Sequence, residues 1–229
     1  MSLRALSLLE SRVLAVLVEK AHTVPDSYPL SLNALLAGCN QKTARDPVLN
    51  VTEAEVMHAA DALKLLNLVM ESSGSRVTRY EHNMGRVMAL PSQSVALLAT
   101  LMLRGPLTSA ELRANSERLH RFADVSSVDA FLDELADRSE EKGGPLVQKL
   151  PRAPGAREHR WAQLVGGPID ASAFGPASAS SSGGGSGDDL IALGELAAVK
   201  TQQDRLQREV DALRALVDKL YTELGVSRD

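Results

Sequence analysis

Three S/T-x-x-E boxes fix where helices begin in this chain: Ser7 to Glu10, Thr52 to Glu55 and Thr108 to Glu111. In such a box the hydroxyl accepts from the backbone N–H three residues on. The glutamate carboxylate reaches back to the N–H of the capping residue, so two orphaned donors at a helix start are satisfied together. Around the first box, Leu6, Leu9, Val13, Val16 and Leu17 repeat at helical spacing; after the second, Val56, Ala59, Ala60, Leu63 and Leu66 do the same. Glu10, Arg12 and Lys20 fall mainly on the other side of the first helix, which predicts a solvated face there.

Between these two helices runs PDSYPLSLNALLAGCNQKTARDPVLNVTEAEV, Pro25 to Val56. Pro25 and Pro29 exclude helix, and Ser31 is placed to cap a short helix over Leu32–Gly38 that Gly38 would close. Asp46-Pro47 interrupts the crossing, because a residue before proline is pushed out of helical geometry. Leu68–Met70 and Val77–Tyr80, separated by Glu-Ser-Ser-Gly-Ser, predict a hairpin. Three helices followed by a hairpin is the order of a winged helix.

The order then recurs. Ser92 is a candidate cap for a helix over Gln93–Leu103 that stops at Arg104-Gly105-Pro106, and the third box opens Ser109–Asn115. Val128, Phe131, Leu132 and Leu135 line a third helix, and Leu146–Leu150 with Glu158–Leu164 flank a turn at Pro151–Gly155. The wings agree in residue type: RVTRY holds Arg76, Arg79 and Tyr80, and REHRW holds Arg157, Arg160 and Trp161. Tyr80 and Trp161 suit anchors that hold each wing to its own helices. The arginines either face solvent or meet phosphates or an acidic partner.

Residues 166–189 turn to Gly, Ser, Ala and Pro and read as a flexible linker, the run GGGSG included. Beyond it Leu196, Val199, Gln203, Leu206, Val210, Leu213, Val217, Leu220 and Leu224 repeat at spacings of three and four. Val210 and Val217 fall at a, and Leu206, Leu213 and Leu220 at d, a combination that favours a parallel homodimer. The alternative is a single amphipathic helix that docks on its own chain. The expected architecture is therefore mainly α with small β-hairpins (α+β). A winged-helix domain over 1–90 and a second over 91–165 precede the linker over 166–189 and a coiled-coil helix over 190–226.

Charge narrows the function. Residues 1–90 carry nine Lys/Arg against nine Asp/Glu, and 91–165 carry ten against ten, so the net −4 comes from the tail. Neither half has the positive excess of a non-specific nucleic-acid binder. A base-reading third helix needs Arg, Lys, Asn or Gln on its outer face. The first repeat offers Glu53, Met57, His58, Asp61 and Lys64 there, and the second Asp129, Asp133, Glu134 and Asp137. The expected function is therefore DNA-binding or transcription-associated, and the candidate contacts to double-stranded DNA or a partner are Lys42 and Arg45 in the long turn and Arg76, Arg79, Arg157 and Arg160 in the wings. The competing expectation is a dimeric adaptor that binds a protein partner at the acidic third helix of the second repeat.

No chemistry stands out. The five histidines are scattered without metal-site spacing, no nucleotide-binding or nucleophile motif sits in its required setting, and no cofactor is expected. Cys39, the one cysteine, beside Asn40, Gln41 and Lys42, is more readily a small buried residue than an activated thiol, so an enzyme is not expected. One cysteine excludes an intrachain disulfide, and no run is long and apolar enough for a membrane span. A cytoplasmic protein is the expectation.

The strings YPLSLNALLAGCNQKTARDPVLNVTEAEV, GSRVTRYEHN, LRGPLTSAELR and GAREHRW closely resemble the YceH family of uncharacterised bacterial proteins, over roughly residues 5–165. The resemblance implies tandem winged helices and a bacterial cytoplasmic protein, and it brings no established activity. At the level of fold alone, tandem winged-helix dimers occur among segregation-and-condensation adaptors.

Overall fold

All three boxes are formed in the computed structural model. Ser7 accepts from the Glu10 N–H at 3.1 Å while Glu10 accepts from the Ser7 N–H at 2.7 Å. The Thr52–Glu55 and Thr108–Glu111 boxes are built in the same way. They open α1 (Leu8–Thr23), α3 (Glu53–Leu65) and α6 (Ser109–Ser116). The structure describes residues 3–72, 77–152 and 155–169. The chain divides into two units, Met1–Ala177 and Ser178–Asp229, and every described residue falls in the first. Arg76 and the heptad positions Leu206, Val210, Leu213, Val217 and Leu220 lie outside the described residues, as does most of the linker.

After α1 come β1 (Leu30–Ser31), α2 (Leu32–Cys39) and α3, then β2 (Val69–Ser72) and β3 (Arg79–His82). A short α4 (Met84–Val87) leads to α5 (Ser92–Arg104), α6, α7 (Val125–Ala136), β4 (Val147–Lys149) and β5 (Trp161–Gln163). The result is an α+β architecture, mainly helical, with two small antiparallel sheets. The first sheet has the order β1-β3-β2, with Leu30 opposite Tyr80 and Glu71 also opposite Tyr80. The second pairs β4 with β5, and Leu107 bridges Trp161 on the other edge of β5. Leu107 thus stands where β1 stands in the first repeat, just before the cap of the short second helix. Neither β1 nor its counterpart announces itself in the sequence, because one or two residues are too few to show alternation.

Five sequence expectations need correction. Arg12 and Glu10 do not lie on a solvated face, because every residue from Glu10 to Val18 is buried. A one-sided helix is the right expectation for a single small domain. Here α1 packs against α2 and α3 of its own repeat and also against α5, so both sides are covered. Helix α5 is likewise buried without a break from Ser94 to Leu103, and one apolar cluster runs through both repeats. Gly38 does not close α2, which continues to Cys39 with Asn40 at its end. Ser92 is the first residue of α5, and Pro91 takes the capping position without a side-chain bond. The strands sit later than expected, at 69–72 and 79–82 rather than at Leu68–Met70 and Val77–Tyr80. In the second wing β5 is only three residues long and begins at Trp161, leaving Arg157 and Arg160 ahead of it.

Gly38 has a different role from capping. A Cβ at this position would stand 2.5 Å from Cγ1 of Val16, so only glycine lets α2 approach α1 this closely. Gly38→Ala is expected to destabilise the fold by about 1–3 kcal/mol through overpacking, despite its better helix propensity. A urea-unfolding midpoint no lower than wild type would contradict that packing.

Candidate interaction surface

The long turn between α2 and α3 owes its shape to two arginines inside the protein. Arg12 projects from the middle of α1 with 0% of its surface exposed. It donates to the carbonyl oxygens of Cys39 at 3.3 Å and Pro47 at 2.6 Å, the two ends of the turn, while its Nε has no partner. Burial, together with the nearby charge of Arg45, lowers its pKa. Arg45 grips Glu19 of α1 with both ends of its guanidinium, at 3.1 and 2.6 Å, and donates to the carbonyls of Gly38 and Ala44. Burial opposes ionisation of Glu19, but the hydrogen bonds and attraction of Arg45, with help from Lys20, outweigh it and hold the carboxyl below its usual range. Asn40 closes the turn by exchanging two 2.8 Å bonds with the backbone of Val51.

Arg45, a sequence candidate for outside contacts, is therefore buried and engaged internally. Lys42, the other turn candidate, is exposed. Cys39 is buried between Arg12 and Arg45, and burial outweighs their attraction, pushing the thiol up to about 12. Such a thiol carries almost no thiolate near neutral pH, so it lacks the nucleophilic form.

In the first wing Tyr80 is buried and Arg79 donates to the carbonyl of Pro29 at 2.8 Å, joining β3 to the segment before β1. In the second, Trp161 is 2% exposed and donates through Nε1 to Ser109 Oγ at 3.2 Å. Ser109 in turn donates to Asp129 of α7, so indole, hydroxyl and carboxylate link β5 to α6 and α7. Both aromatic residues are buried against the helices, as expected of side chains that hold each hairpin in place. Asp129 is occupied by this link, whereas Asp133, Glu134 and Asp137 are exposed. Arg157 is exposed and Arg160 half-buried. Arg152 donates to His159 Nε2 at 3.0 Å, and the opposite ring nitrogen lies 2.9 Å from the Leu150 carbonyl, which assigns the proton to Nδ1.

The solvent face of α3 mixes apolar and acidic side chains. Met57 is 46% exposed and Leu65 is 87% exposed, and Asp61 lies between them at helical spacing. Lys64, the one cation of α3, is shared by Asp61 at 3.1 Å and Glu71 of β2, which raises its pKa. An open groove of about 740 Å³ adjoins this helix, with Leu6 and Leu9 on one wall and Ala54, His58 and Ala59 on the other. Sequence reasoning placed Met57 on this face but took no account of Leu65, which follows Asp61 by four residues and so was legible from periodicity. Among the described residues no group of histidine, cysteine and carboxylate side chains could hold a metal ion. None of the described helices is long and apolar enough to cross a membrane.

His82 of β3 lies against Tyr28. Its backbone N–H donates to the Tyr28 hydroxyl at 2.7 Å, and its own Nδ1 is buried without a partner. Burial, with His22 nearby, pushes the imidazole from 6.5 down to about 4. The unfolded chain therefore takes up this proton first, and the contribution to stability is complete above about pH 6.5. It diminishes as the pH falls towards 4, by up to about 3 kcal/mol. Unfolding free energies at pH 7 and 4.5 should fall further in the wild type than in His82→Leu; equal losses would contradict the assignment.

A family model described as "Protein of unknown function, DUF480" matches residues 6–156. A UPF0502 protein of Methylibium petroleiphilum is 63% identical over 225 residues, covering 98% of this chain and 92% of its own. A UPF0502 protein of Burkholderia orbicola is 59% identical over 228 residues, covering 100% of this chain and 93% of its own. The chain belongs to this DUF480, or UPF0502, family of bacterial proteins, the YceH type that its turn and wing strings resemble.

Proposed function

We propose that the two repeats are winged-helix units and that together they act as a protein-interaction adaptor. In this reading the third helix of the first unit docks a partner segment and reads no bases. The observation that carries it is the outward face of α3, where Met57 and Leu65 are exposed on either side of Asp61. Apolar side chains flanking one carboxylate suit a partner helix or strand that presents an apolar stripe and a single cation. Phosphates would be repelled by Glu53, Asp61 and Glu71, which are balanced only by Lys64. The order helix, strand, helix, helix, strand, strand, and the placement of β1 and Leu107 at equivalent sheet edges, support the winged-helix assignment.

The adaptor reading predicts that proteins retained by the full-length tagged chain are lost in Met57→Glu/Leu65→Glu. They should persist in Arg157→Ala/Arg160→Ala. Retention that survives the first pair of changes would contradict it.

A second reading, duplex DNA held by the second wing, has one observation in its favour. Lys149, Arg152, Arg157 and Arg160 cluster around β4 and β5 with Glu158 as the local acid. Binding of this kind would weaken steeply with salt and fall again in Arg157→Ala/Arg160→Ala. Self-association through the heptad positions Leu206 to Leu220 completes the adaptor reading. A chain ending at Gly187 is then expected to sediment as a monomer while the full chain sediments as a dimer.

A further inference from the structure

A second, more enclosed cavity of about 230 Å³ lies where the N-terminal segment meets the loops of the second repeat. Its apolar wall is made by Leu6, Val87, Leu146 and Leu164, and its polar rim by Arg4, Arg138 and Lys142, with no carboxylate lining it. Arg4 is neutralised by a bidentate pair with Glu10, at 2.8 and 2.6 Å. Among the described residues neither of the other two cations is paired with a carboxylate. Arg138 uses Nε and Nη2 on the carbonyls of Met88 and Lys142, which fixes its guanidinium in place and leaves Nη1 without a hydrogen bond among the described residues. Lys142 forms no ion pair among the described residues.

A guanidinium held by two backbone carbonyls is oriented before any ligand arrives, which removes part of the ordering cost of binding. We propose that this cavity binds a small amphipathic anion. A carboxylate or phosphate head lies between Arg138 Nη1 and Lys142, and a short hydrocarbon body rests on Leu6, Val87, Leu146 and Leu164. The volume is below the roughly 300 Å³ at which sites for drug-sized ligands begin, so the ligand has about ten heavy atoms. Because the wall draws on the segment before α1, on α4 and on the loops of the second repeat, such a ligand joins the two repeats. It would reinforce the Leu6 N–H to Val165 carbonyl bond, 2.9 Å long, that already joins them. The proposal does not depend on the adaptor reading, and its test involves no protein partner.

The test is titration of the isotopically labelled full-length chain with octanoate, with octan-1-ol and inorganic phosphate as separate arms. The expected result is saturable movement of the amide signals of Val87, Gly143, Leu146, Leu164 and Gly167 with octanoate, at a dissociation constant below about 10 mM. Lys142→Glu, a substitution at an exposed position, is expected to weaken it by about tenfold or more. Phosphate should compete with octanoate, which identifies the head-group site as the shared element. No saturable movement with octanoate, an equal response to octan-1-ol, or an unchanged affinity in Lys142→Glu would each overturn the proposal.

Discussion

Arg45→Ala is expected to destabilise the folded chain by about 3–5 kcal/mol, the range found when one partner of a buried ion pair is removed. The reason is geometric. Arg45 is wholly enclosed, and its guanidinium satisfies both carboxylate oxygens of Glu19 together with two backbone carbonyls. Alanine leaves Glu19 with Lys20, at 3.3 Å, as its remaining cation, and leaves the Gly38 carbonyl without its side-chain donor. Arg45→Lys should recover only part of the loss, since an ammonium cannot make the two-pronged contact. Chemical denaturation followed by circular dichroism measures both variants. If Arg45→Ala instead kept wild-type stability and lost affinity for an external ligand, the turn would be a binding surface after all.

Trp161→Ala should be about as damaging, roughly 3–5 kcal/mol, because it empties a large enclosed site. Three contacts converge on this residue. The indole donates to Ser109, Lys149 stands 5.2 Å over the ring, and the backbone exchanges bonds of 2.7 and 3.1 Å with Leu107. The Leu107 bonds survive the substitution, so β5 should stay registered while the wing loosens from α6 and α7. Trp161→Phe keeps most of the apolar volume and removes the indole donor, at an expected cost of about 1–2 kcal/mol. Trp161 is the one tryptophan in the chain, so helical dichroism rather than fluorescence must follow these variants. The same contacts guide charge reversal at α7 and its C-cap: Asp133 and Asp137 are exposed and suitable, whereas Asp129 receives the Ser109 hydroxyl and is not.

The helix starts were legible because a capping box is local: Ser7, Thr52 and Thr108 needed only the glutamate three residues away. The burial of Tyr80 and Trp161 was legible for a similar reason, since each is a large aromatic side chain directly after an arginine in a short hairpin strand. What escaped sequence reasoning depends on contacts distant in the chain. Arg12 looked solvated because the two carbonyls that hold it, at the ends of the long turn, lie 27 and 35 positions away. Arg45 looked available because nothing near it in sequence reveals Glu19, which is 26 positions away. A lone arginine in a polar turn reads the same whether it faces a phosphate or a buried carboxylate. Only the packed structure separates the two, and here it favours the carboxylate. The cavity around Arg138 and Lys142 was likewise hidden, because its walls come from four separate stretches.

In the adaptor reading proposed above, α3 presents a protein-binding face rather than a base-reading one. One test places a photo-crosslinking side chain at position 65, and at position 57 in a second variant, of the chain expressed in its own bacterial cells. A control at Arg118, an exposed position beyond α6, reports random encounters. That reading predicts discrete protein adducts at 65 and 57 that are absent at 118 and unchanged by nuclease treatment. Adducts that disappear with nuclease, or that form equally at all three positions, would contradict it.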